Sequence, residues 1–285
     1  MIKFGPSGNS IRFYEEGYKS TEQTACWLKE NDLDCFEYSF GRGVNMSELK
    51  AESIKNAFLS EQIEISVHAP YYVNLANPDP EKTVNSFNYI LDSAYMLKKM
   101  GGEKLVFHPA SVGKETREVA FERTLDRMKQ LAELIYENRL NDLKFCPETM
   151  GKLNQIGTIE EITEFCMLED FFVPTVDFGH VNAREQGSLK DKKDYLCRLE
   201  YMIEKLGFEK MKHFHAHFSK IQYSAKGEIK HLTFKDYLYG PEFEPLAEAL
   251  LDLGLEPTII CESDGTQADD ASYMKRAYFR AKNKR

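Results

Sequence analysis

The sequence has no stretch approaching the ~20 apolar residues that a membrane-crossing helix needs, so no membrane span is expected. It also has no C-x-x-C pair. Its six cysteines, Cys26, Cys35, Cys146, Cys166, Cys197 and Cys261, are scattered along 285 residues. That scatter reads as reduced, packed thiols in an intracellular protein rather than a disulfide frame. The opening Met1-Ile2-Lys3-Phe4-Gly5-Pro6 lacks a charged region followed by an apolar run, so no secretory signal is expected and the expected location is cytoplasmic. No linker, low-complexity segment or charge block divides the chain, and residues 1–285 are expected to form a single domain with a frayed basic tail at Lys282–Arg285. Gly5-Pro6-Ser7-Gly8 and Gly41-Arg42-Gly43 do not match the Gly-rich phosphate turn of a doubly wound dinucleotide-binding sheet. Positive charge is scarce: 37 Lys and Arg face 46 Asp and Glu, a net charge of −9. That balance weighs against a nucleic-acid partner, whose phosphates call for a basic footprint. A cluster of bound divalent cations would offset it locally.

What is present is a repeating unit, a short apolar run followed by a longer amphipathic segment. Strands are predicted at Ile2–Phe4, Cys35–Tyr38, Ile63–Val67, Lys104–Phe107, Leu143–Cys146, Phe171–Val176, Lys212–Phe218 and Thr258–Cys261. Helical spacing marks Ser86–Met100, Thr116–Asn138, Thr158–Met167, Lys193–Leu206 and Pro245–Leu253. Gly101, Gly207 and Gly254 stand where helices stop, and Thr158-x-x-Glu161 has the form of a capping box. Eight strands alternating with helices argue for an α/β chain with a parallel sheet, and eight is the number that closes a (β/α)8 TIM barrel.

Barrels of this kind place their chemistry at the C-terminal ends of the strands. His68 follows the third predicted strand, His108 the fourth and Glu148 the fifth. Asp177 ends the sixth with His180 just beyond, while His213, His215 and His217 alternate on the seventh. His231 lies in the loop after it, and Glu262 ends the eighth. Taken singly, such a histidine is more often a hydrogen-bonded structural residue, and such a carboxylate often caps the next helix. Six consecutive strands finishing in this way are not explained by independent capping. Imidazole and carboxylate together suit zinc, manganese or iron better than magnesium or calcium. The alternation on the seventh strand puts its three histidines on one face and leaves open which of them binds.

The run Ser66-Val67-His68-Ala69-Pro70-Tyr71-Tyr72-Val73-Asn74-Leu75-Ala76-Asn77-Pro78 resembles a signature of the endonuclease IV family, within the xylose-isomerase-like TIM barrels. Phe107-His108-Pro109-Ala110-Ser111, Pro147-Glu148-Thr149-Met150-Gly151-Lys152 and Val176-Asp177-Phe178-Gly179-His180 are similar to further family elements, in the family's order. His215 precedes Ser219-Lys220 at the family's spacing, and the resemblance runs from Ser66 to Glu262.

The resemblance implies a zinc enzyme with two or three ions, for which manganese or iron can substitute. Carried over, His68 and His108 hold one metal and Glu148 bridges to a second, completed by Asp177, His215 and Glu262. His180 and His231 hold a third. The family's remaining ligand to that third metal falls here on Ile229, which cannot bind, so Glu228 is expected in its place. The implied reaction is hydrolysis of DNA 5′ to an abasic site, leaving a 3′-hydroxyl, as in base excision repair. Glu148 and Glu262 are the expected catalytic residues, and Tyr71 and Lys220 the expected substrate contacts. The expected partner is double-stranded DNA with an abasic site, engaged by a monomer. The competing reading is a sugar isomerase or epimerase holding one divalent ion on Glu148, Asp177, His215 and Glu262. A catalytically idle barrel that keeps its metals for stability is the third.

Overall fold

Local signals fix where the elements begin and end. The helix expected from Ser86 begins earlier and spans Pro80–Met100, because Asp79 accepts from Glu81 N at 3.0 Å and Pro80 fits the first helical turn. It stops at Gly101, which takes the left-handed conformation at φ 74°. Thr158 and Glu161 form the expected capping box on the helix Ile159–Cys166.

The computed structural model describes residues Met1–Arg285. Its eight barrel strands are β1 (Lys3–Pro6), β2 (Cys35–Ser39), β3 (Glu64–His68), β4 (Lys104–Phe107), β5 (Lys144–Pro147), β6 (Thr175–Asp177), β7 (His215–Phe218) and β8 (Thr258–Cys261). Two parallel sheets form, β2-β3-β4-β5 and β1-β8-β7-β6. Parallel bridges join them at both seams: Ser7 to Glu37 beside β1 and β2, and Phe145 to Phe172 and Glu148 to Thr175 beside β5 and β6. The ring closes, and the TIM barrel expected from the strand count is the fold. One buried apolar core runs through the barrel and under its helices, with Phe4, Trp27, Phe145, Phe172 and Phe218 among its largest members.

Two predicted strands are trimmed. Phe171–Val173 carries the apolar pattern but Pro174 interrupts it, and only Thr175–Asp177 forms the β6 ladder. Lys212 ends a short helix, Phe208–Lys212, and β7 starts at His215. After β7 the chain makes an antiparallel hairpin, Ile221–Ser224 with Gly227–His231. This hairpin docks on the loop after β5 through Glu228 N to Gly151 O at 3.0 Å and Leu153 N to Lys226 O at 3.2 Å. Gly227 is required there, since its φ is 90° and a Cβ would lie 2.2 Å from Gly151 O.

Candidate metal centre

The C-terminal rim gathers nine side chains from β3 through β8 and the hairpin. Glu148, just past β5, is at the middle and 1% exposed. Its Oε2 lies 3.2 Å from His68 Nε2 and 3.1 Å from His108 Nε2. Its Oε1 lies 3.1 Å from His217 Nδ1 and 3.4 Å from His180 Nδ1. Each carboxylate oxygen thus serves a different group of residues.

The rim ligand atoms fall into three sets, each within 4.8 Å: His68, His108 and Glu148; Glu148, Asp177, His217 and Glu262; and His180, Glu228 and His231. A fourth cluster of the same tightness, Glu37, His215 and His217, is sealed beneath the rim. Glu228 reaches its set from the hairpin, with Oε2 3.4 Å from His180 Nε2. The neighbouring Ile229 is half-exposed and offers no ligand atom.

His215 does not join its expected set. Fully buried one alternation below the rim, it meets Glu37 at 2.9 Å. His217 stands in the expected place, because β-register sets height: Asp177 pairs with His217, and Thr175 with His215. His213 is the farthest from the rim, at the foot of the barrel, with Nδ1 3.2 Å from Glu256 O. Lys220 is also misplaced by the sequence reading. Its ammonium is buried and donates to Asp236 O at 2.8 Å and Glu242 Oε1 at 2.6 Å, away from the rim cleft. Tyr71 is half-exposed on the cleft wall, its hydroxyl 3.3 Å from that of Tyr72. His180 lies in a short helix, Phe178–Arg184, rather than in a loop.

Asp177 shows how the bland and the functional readings coexist. Its Oδ1 accepts from His180 N at 2.7 Å and caps that helix. Its Oδ2 is buried with no hydrogen-bond partner and faces the second set. Burial, with Glu262 and Glu148 nearby, raises its pKa to about 6 despite His180. Burial opposes the charge on Glu148 too, but His217, His108 and His180 outweigh it and hold the group well below the usual carboxylate range. Glu262, where His217 and His231 overcome burial, sits at about 2. No Lys or Arg side chain pairs with Glu148, Asp177, Glu228 or Glu262; histidines are their only partners. Desolvated carboxylates converging with imidazoles, and one carboxylate oxygen left orphaned, are a donor set that fits divalent cations of the zinc class.

A cleft of about 230 Å³ opens over the sets, lined by His68, His108, His180, His231, Glu228 and Glu262 together with Tyr71 and Lys152. Glu37 is the residue that sequence reasoning missed. Fully buried in β2, it binds both His215 and His217. The only signal in the sequence was a carboxylate in a short, otherwise apolar strand.

This chain belongs to the xylose isomerase-like TIM barrel family, whose model matches residues 26–279. It is 33% identical over 275 residues to an uncharacterized protein of Methanocaldococcus jannaschii, covering 96% of each chain. It is 30% identical over 157 residues to a protein named probable endonuclease 4 from Mycoplasma genitalium, covering 54% of this chain and 52% of that one. Among solved structures, a D-tagatose 3-epimerase-like protein superposes with a TM-score of 0.72 at 18% identity over 99% of both chains. Endonuclease IV from Thermus thermophilus superposes at 0.67 and 16% identity, over 99% of this chain and 100% of that one. At these identities the two superpositions speak for the fold alone. Proteins of both kinds anticipated from the sequence thus share this fold.

Proposed function

We propose that this protein is a metal-dependent phosphodiesterase that cleaves DNA at abasic sites. The observation that carries the proposal is the number of ligand sets. One metal would use Glu148, Asp177, His217 and Glu262. It would have no use for His68 and His108 on one side, or for His180, Glu228 and His231 on the other. The likeness to probable endonuclease 4 proteins supports the same reading.

His68, His108 and Glu148 would hold one ion, Glu148, Asp177, His217 and Glu262 a second, and His180, Glu228 and His231 a third. Bound ions of this class supply Lewis acidity toward phosphate oxygens and lower the pKa of water. The protein's own groups do the rest. Glu148 keeps the first two sets in fixed relation, one oxygen to each. Glu262 lines the cleft while Glu148 and Asp177 are sealed beneath it, so Glu262 is the carboxylate placed to take a proton from an attacking water. Lys152 and Lys230 line the cleft and its extension, where they meet phosphate charge that the net −9 of the chain would otherwise repel. Tyr71 offers an exposed ring for a base or sugar beside the lesion. An abasic nucleotide has no base to unstack and is cheap to extrude into such a cleft.

The test is incubation of zinc-loaded protein with a duplex carrying one abasic site. The expected product is a nick whose 3′ end a polymerase extends. His68→Ala and His108→Ala should each abolish it. A barrel acting on sugars through the second set alone would keep its activity in both variants, and that result would sink the nuclease reading.

The sugar-epimerase reading is favoured by one observation, the acidic balance of the chain, which suits a neutral substrate better than DNA. Metal content per chain separates the two. Two or three equivalents support the phosphodiesterase, and one equivalent supports the epimerase.

A further inference from the structure

The rim histidines are oriented in two different ways. His68 presents Nδ1 to Ala69 O at 2.8 Å, and His180 presents Nδ1 to Thr149 O at 2.9 Å. A backbone carbonyl can only accept, so each ring donates there and keeps its Nε2 lone pair for the cleft. His217 is reversed. Its Nε2 lies 2.9 Å from Glu37 Oε1, and its Nδ1 faces Glu148 Oε1 at 3.1 Å and Glu262 Oε2 at 3.5 Å.

The partner in this case is a wholly buried carboxylate rather than a carbonyl. The other oxygen of Glu37, Oε2, accepts from Ser66 Oγ at 2.9 Å and meets His215 Nε2 at 2.9 Å. Two donors, one from β3 and one from β7, thus hold Oε2, while Oε1 faces His217 Nε2 at ion-pair distance without a well-aligned hydrogen bond, inside the barrel and below the three rim sets. His215 and Ser66 hold Oε2 in place, which aims Oε1 at His217.

We propose that Glu37 is a positioning residue for the second metal set, one that fixes His217 as the Nε2–H tautomer so that Nδ1 is the atom offered to the ion, with His215 and Ser66 bracing Glu37. The proposal rests on the reading that the second set binds a divalent cation. A carboxylate behind a ligating histidine both orients the ring and raises its basicity, and loss of such a partner typically costs about 10–100-fold in metal affinity. His68 and His108 make no hydrogen bond to Glu37, and its charge reaches His68 only through space, so the first set should keep its affinity when Glu37 is lost.

The experiment is zinc binding by competition with a chromophoric chelator, on the full chain, for wild type, Glu37→Gln and His217→Ala. Long-range ¹H–¹⁵N spectra of the histidine rings in the zinc-loaded protein accompany it. Wild type should show His217 ligated through Nδ1 and protonated at Nε2. Glu37→Gln should weaken one zinc equivalent by about 10–100-fold, leave the others unchanged, and loosen the Nε2–H preference. A merely structural role for Glu37 would shift the unfolding midpoint without moving the ring signals. Should Glu37→Gln fail to fold, Glu37→Asp keeps the charge, withdraws it from His217, and is read in the same two ways. Coordination of His217 through Nε2, or a variant that holds every zinc as tightly as wild type, would overturn the proposal while leaving the metal reading intact. Absence of zinc from the second set of wild type would overturn both.

Discussion

The two ends of the barrel solve the problem of buried and crowded charge in opposite ways. At the N-terminal end four acids meet a cation made by the chain. Lys3 pairs with Glu64 across the strand starts, the Met1 amino group lies 3.0 Å from Glu256, and Lys275 reaches Asp32 and Asp34 at 2.9 Å each. Lys104, at the start of β4, turns inward and donates to His213 O at 2.9 Å and Thr258 Oγ1 at 3.1 Å. At the C-terminal end four carboxylates converge with histidines alone, and Asp177 Oδ2 accepts no hydrogen bond, with His180 Nδ1 3.4 Å away. One end is electrically paired within its own sequence, whereas the other, under the proposed function, would be completed by cations from solution. A stability role and a binding role can thus be told apart by who supplies the cation.

That contrast can be broken or sharpened by experiment. The largest effect is expected from Glu148→Gln, which removes a charge shared by two ligand sets. Cleavage of an abasic duplex should fall by about 10²–10³-fold or more, the scale of losing one preorganised stabilising group. Full activity in this variant would mean that the rim sets do not act together.

Chelation comes next. Ions held at about 100 times their dissociation constant contribute about 2.7 kcal/mol per site. Stripping them should lower the calorimetric midpoint by about 5–10 °C per site for a domain of this size, and added zinc should restore it. A midpoint indifferent to chelator would place the two ends on the same footing.

Lys104→Met is the matching change at the other end. It removes the donor to one exposed and one part-buried acceptor and should cost about 0.5–1.5 kcal/mol in denaturant unfolding, with metal content and cleavage unchanged. The smallest effect is expected for Lys3→Ala. Its ion pair with Glu64 is one-third to one-half exposed, so solvent screening leaves about 0–1 kcal/mol.

Much of this arrangement was legible in the amino-acid order itself. The eight apolar runs announced the barrel, and strand-end His, Asp and Glu pointed to its working rim. Two placements were not legible, for a common reason. Alternation along β7 says that His213, His215 and His217 share a face, but height on that face is a matter of register with β6 and β8, which pairs Asp177 with His217 and His217 with Ile260. Motif spacing counted back from Lys220 therefore chose His215, one alternation too deep. Lys220 misled in turn, because a lysine after a barrel strand reads as a phosphate contact until Asp236 and Glu242 are seen to occupy it. The strand at Phe171–Val176 was overlong because apolar content does not register what Pro174 does to a ladder. Glu37 had no motif around it. Only its burial between two histidines, brought together from residues far apart in sequence, marks it.

The hairpin that follows β7 brings Glu228 and part of the third set on a piece of chain that no barrel strand requires. It is fastened to the loop after β5 by a few backbone contacts, and its seating depends on Gly227 having no side chain. The third set is therefore an accessory in the engineering sense. A short insertion, a deletion or a change of Gly227 would displace Glu228 and His231 together, while His180 and the first and second sets stay anchored in the barrel. A scaffold built in this way can change the number of metals it works with, and hence its chemistry, by editing one loop without refolding its barrel.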